Sequence, residues 1–138
     1  MESTARLGLP LLVAGQGQKE ITHNEALVLL DAVISCIVER RDLAAPPVEA
    51  ADGQCWLVPD GASGEWTGRG GQVAISTGGG WRYLQAPDGM SLSVRQNGEQ
   101  LRRQFGLWQL VAPVGAPAAS VALPTGGTTV DSEARAAI

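Results

Sequence analysis

Hydrophobic positions change their spacing along this chain, and the change divides it. Leu27, Leu30, Ile34 and Ile37 recur at alternating three- and four-residue steps, the seam of a helix that packs on other helices. Thr22-His23-Asn24-Glu25 in front of them predicts a capping box. In it the Thr22 hydroxyl accepts from the Glu25 backbone N–H, and the Glu25 carboxylate reaches back to the Thr22 N–H. Arg40 and Arg41 suit the C-terminal end of the helix dipole, and Pro46-Pro47 prevents continuation. A loop and one capped helix of about eighteen residues are therefore expected within residues 15–42.

From Asp52 onward the spacing becomes two. Gln54–Val58, Glu65–Gly68, Gln72–Thr77, Trp81–Gln85, Met90–Gln96, Glu99–Phe105 and Leu107–Val111 read as about seven short strands between Gly-rich turns. Asn97-Gly98 is the preferred pair for a two-residue type I′ hairpin, which would set Gln96 opposite Glu99 and Val94 opposite Leu101. Residues 52–111 are expected to form a small antiparallel all-β domain, a twisted sheet, sandwich or barrel. On the flanks lie an apolar arm (1–14) and an extended Ala/Pro linker (112–129). Asp131 can cap a C-terminal helix over 130–138 whose pattern has barely begun at Ile138, as in a truncated chain. The expected fold class is α+β.

Composition narrows the function more than it identifies it. A length of 138 residues suits one small domain, or a domain with short appendages. A net charge of −4 and a single lysine, Lys19, argue against nucleic acid as a partner. Arg102-Arg103, in a predicted hairpin, is the densest basic spot of the β region. No basic region precedes the first apolar run, and LGLPLLVAG is broken by Pro10 and too short to span a bilayer. The expectation is synthesis in the cytoplasm with no signal peptide and no membrane insertion. Cys36, read on the helix, and Cys55, read on a strand, are expected as buried free thiols.

Nothing in the residue pattern announces catalysis. His23 has no Cys or His at ligand spacing, so no metal site is expected. Gln16–Glu20 lacks the Walker pattern, and TGGG and GRGG do not open helices, so no cofactor is expected. Asp52, Asp60, Glu65, Asp88 and Glu99 could supply a carboxylate pair for glycoside hydrolysis, but most sit where Asp simply suits a turn. Two constellations remain. In the first, Leu27, Leu30, Ile34 and Ile37 form a self-association seam with Glu20 and His23 as a polar layer near its start. In the second, Trp66, Trp81, Tyr83 and Trp108 with Arg82 contact a glycan, against the simpler reading that aromatics fill a core with few other large side chains. Strand alternation puts Trp81 and Tyr83 on one face and Arg82 on the other.

GLPLLVAGQGQKEITHNEALVLLDAVI, Pro46-Pro47, the Gly53–Val58 motif, GEWTGRGG at Gly64–Gly71, GGW at Gly79–Trp81 and the closing VDSEARAAI carry a further signal. Together they resemble an alphaproteobacterial domain family of unknown function found in prophages, tailed phages and gene transfer agents. Its members are tail-fibre or spike-like virion proteins. The resemblance implies a non-enzymatic particle component, a homotrimer that contacts other virion tail, baseplate or capsid proteins and presents its β domain to the host surface. A carbohydrate-binding module acting on host surface polysaccharide is the alternative, and a glycan-degrading enzyme the more distant one.

Overall fold

A computed structural model describes residues 2–12 and 19–112; residues 13–18, most of the expected linker and the expected C-terminal helix lie outside the described residues. The described chain is α+β. Its elements are α1 (Lys19–Val33), β1 (Ile37–Val38), β2 (Cys55–Leu57), a 3₁₀ turn (Gly64–Trp66), β3 (Val73–Thr77), β4 (Gly80–Leu84), β5 (Ser91–Val94), β6 (Gln100–Gln104) and β7 (Leu107–Leu110). Two sheets form, one in the order β1-β5-β6-β7 and one in the order β2-β3-β4. All pairings are antiparallel except β1 with β5.

The helix differs from the expectation at both ends. Thr22 lies inside α1 rather than capping it, and Glu25 turns its carboxylate to Arg82 instead of the Thr22 N–H. At the other end α1 stops at Val33, and Ser35 takes a left-handed φ of 51°. Cys36 follows the helix, and Ile37 is on β1, so Ile37 leaves the seam. Val33-Ile34 and Ile37-Val38 bracket Ser35-Cys36 with β-branched residues, which make a strand competitive with another helical turn, and pairing with β5 selects the strand. The 3- and 4-residue steps could not distinguish the two.

Six of the seven expected strands are present. The exception is Glu65–Gly68, part of which becomes the 3₁₀ turn that carries Trp66 inward. The Asn97-Gly98 connection also differs. Leu92 pairs with Leu101 and Ser93 with Gln100, so Val94 faces Glu99 across a four-residue loop. Asn97 is not left-handed, as a type I′ turn would demand, and the Gln96 N–H, which that turn would pair with Glu99 O, is donated to Glu39 O at 3.3 Å. The register moves by two residues, which keeps Leu92, Val94 and Leu101 on one buried face. The two-residue turn with positive φ at both positions occurs instead at Phe105-Gly106, between β6 and β7.

The β2-β3-β4 sheet separates two cores. Cys55, Leu57, Val73 and Ile75 on one face pack with Val38, Leu92, Val94 and Leu101 of the second sheet and with Ala32 of α1. Trp56 and Ala74 on the other face pack with Val58, Ala62 and Trp66, flanked by Trp81 and Tyr83. The N-terminal arm folds back on itself through a Ser3–Pro10 bridge and a turn at Gly8, where φ is 67°. It then docks on α1.

Candidate functional site

Two surfaces of α1 have opposite character. Toward the domain, Ala32 and Asp31 are buried and Val28 and Leu29 half-buried. Away from it, Thr22, His23, Ala26, Leu30 and Val33 are exposed, and Ile34 follows in the same direction. Leu30 is 47% and Ile34 42% exposed, while Leu27 between them and the core face is half-buried. Leu30 and Ile34 thus do not supply the helix's packing on its own sheet. That role falls to Leu29 and Ala32. An apolar outer face with His23 near one end is what the structure presents; Glu20 belongs to the same helix.

Beside this face lies the arm, held by polar rather than apolar contacts. The buried Asp31 carboxylate accepts from the Thr4 hydroxyl (2.9 Å), the Arg6 N–H (3.0 Å) and the Leu7 N–H (2.8 Å). The Arg6 guanidinium donates to the carbonyls of Asp31, Ala32 and Ser35, satisfying the end of α1 that has no intrahelical partners. Asn24 and Leu12 exchange two further hydrogen bonds. Leu7 and Leu12 stay exposed at 46% and 42%, and extend the apolar surface alongside α1. Sequence reading missed this socket. Its signal was Asp31 itself, an acid inside the apolar run LVLLDAV.

The expected glycan residues fare differently. Trp66 is fully buried, with its ring edge-on to Trp81 (5.4 Å between centroids) and tilted to Trp56 (6.5 Å), so it cannot meet a ligand. Trp81 is half-buried in the same cluster. Tyr83 donates its hydroxyl to Glu65 O and carries the Arg69 guanidinium 4.2 Å over its ring. Burial, with Glu65 nearby, pushes its phenol up, against a smaller opposing effect of Arg69. Arg82 is engaged by Glu25 through two hydrogen bonds of 2.7 and 2.9 Å, which tie β4 to α1 and hold the Glu25 carboxyl below its usual range. Trp108 is half-buried against the other core, the one between the two sheets, and its indole N–H is donated to Gly71 O at 2.8 Å. These residues do not converge on one platform. The exposed aromatic is Phe105, which the sequence reading passed over; it is 87% exposed at the β6–β7 turn.

Cys36 and Cys55 are both buried and free, as expected. Desolvation raises Cys36 to about 11 and Cys55 to about 12, so both are packing thiols rather than nucleophiles. Among the described residues no group of His, Cys, Asp and Glu could hold a metal ion, and no helix is long and apolar enough to cross a membrane. Residues 23–109, more than half of the chain, match the model of a family described as a protein of unknown function (DUF2793). No curated protein matches the chain.

Proposed function

The chain belongs to the DUF2793 family, and on that footing we propose that it is a non-enzymatic structural component of a phage or phage-like particle. In this reading it is a trimeric fibre or spike module. The outer face of α1 joins the copies, other virion proteins hold them, and the β domain faces the host surface. The virion assignment rests on the sequence resemblance. The self-association rests on one observation: a folded domain leaves Leu30, Val33 and Ile34 exposed on a single helix face.

The spacing of Leu27, Leu30 and Ile34 suits a like helix, because three- and four-residue steps let side chains of one copy enter the gaps of another. Light scattering on a sizing column is the test, applied to the full chain and to Leu30→Asp. Three chains for the parent and one folded chain for the variant are expected, since an unpaired carboxylate in a closed seam is very costly. A folded monomer in both cases sinks the assembly reading, because Leu30 would then be only a surface leucine.

A further inference from the structure

A second feature lies away from α1, where β7 and the end of β6 face the loop from Val58 to Gly71. Here a cleft of about 330 Å³ opens, within the size range of small-ligand sites. One wall carries Arg103 and Trp108, a cross-strand pair on the inner face of β6 and β7, with Leu107 next to them. The guanidinium lies 5.7 Å over the indole ring, and both side chains donate to Gly71 O, at 3.3 and 2.8 Å. The opposite wall carries Pro59 and Asp60. Among the described residues the Asp60 carboxylate has no ion-pair partner.

Two adjacent glycines lie against these charged groups. A Cβ on Gly70 would meet Asp60 Oδ1 at 2.7 Å, closer than real contacts allow. At Gly71 a Cβ would only touch Arg103 Nη1, at 3.4 Å, but the φ of 82° disfavours any other residue there. The turn at the rim is strained as well: Phe105 sits at φ 53°, where Asn or Gly is the ordinary choice, and its exposure offsets none of that cost. Gly106 is tied down by its N–H to Asp88 Oδ1 at 3.1 Å.

The cleft therefore offers a carboxylate acceptor, a guanidinium with donors to spare and an apolar side between them. Arg41 also lines it, but its charge is already met by Glu99 at 2.5 Å. An anionic ligand would face Asp60 with only Arg103 to offset it. A compound that carries both hydroxyls and an uncharged ring face satisfies every group. We propose that this cleft binds a neutral pyranose, with Asp60 accepting from its hydroxyls, Arg103 donating to them and the Leu107–Trp108 side covering an apolar face of the ring.

This site belongs to a single chain and does not rest on the assembly reading. The test is NMR titration of the ¹⁵N-labelled full chain with the methyl glycosides of glucose, galactose and mannose, and separately with glucuronate. Expected is a saturable shift of the Trp108 indole N–H and of the amides of Gly70, Gly71 and residues 106–108, from at least one neutral glycoside. Asp60→Asn, an exposed substitution whose fold is checked by its unchanged spectrum elsewhere, should weaken it about tenfold or more. No saturable shift with any neutral glycoside overturns the proposal. So does binding that Asp60→Asn leaves intact, binding that maps to Trp81 and Tyr83, or an equal response to glucuronate.

Discussion

Trp66 shows what a single side chain does in a small domain short of large residues. It sits fully buried at the centre of the second core, against Trp56 and Trp81, and its loss would cost about 3–5 kcal/mol. Its indole N–H has no partner among the described residues, so its contribution is packing rather than hydrogen bonding. The buried thiols lead to a prediction at the same scale. Cys36 and Cys55 ionise near 9 when unfolded and at about 11 and 12 when folded. A raised folded value means that the unfolded chain loses its protons first, so stability should fall as pH rises from about 9 toward 12. Denaturation midpoints across that range should drop more for the parent than for Cys36→Ala/Cys55→Ala. A thiol reagent at pH 8 should label neither cysteine until denaturant is added. Rapid labelling of the folded protein would show that the cores are not closed as described.

At the scale of elements, the joint between the arm and α1 is the most closely specified. Its hydrogen bonds use a buried acid, a hydroxyl, two backbone N–H groups and the guanidinium that caps the helix. Removing the acid leaves three donors without an acceptor, at roughly 2–4 kcal/mol for the joint. Arg6 is the only tryptic site in the arm, and its side chain is enclosed by the end of α1. Asp31→Ala should therefore be cut by trypsin after Arg6 much faster than the parent, while the β domain stays protected. Equal cutting rates would mean that the arm is not held by Asp31. The Glu25–Arg82 pair is a weaker joint, since Glu25 is 42% and Arg82 34% exposed, and is worth about 0.5–1 kcal/mol after screening. Its share is present above the usual carboxylate value and is lost as acid protonates Glu25.

For the whole molecule, the question is what covers the outer face of α1. An assembly held by that face stabilises the folded state by mass action, so Tm should rise with protein concentration in the parent and stay constant in Leu30→Asp. A Tm independent of concentration in both would agree with a monomer.

The amino-acid pattern alone determined the α+β class, one long helix near the N-terminus and six of the strands. Period-three-to-four and period-two spacings, with Gly-rich turns, are local properties that do not depend on distant residues. It also determined that Trp81 and Tyr83 share a face opposite Arg82. Tertiary structure decided where competing local options fell. VISCIV could extend the helix or form a strand, and β5 decided it by pairing with Ile37 and Val38. Asn97-Gly98 could close a two-residue turn, but the Gln96 N–H went to Glu39 O instead of Glu99 O and the loop widened. Which of four tryptophans are hidden, and which charged pair faces one cleft across Gly70 and Gly71, depends on segments dozens of residues apart meeting in space. Sequence spacing carries no record of such meetings, because the free energy that selects them is burial and close approach between elements rather than preference within one.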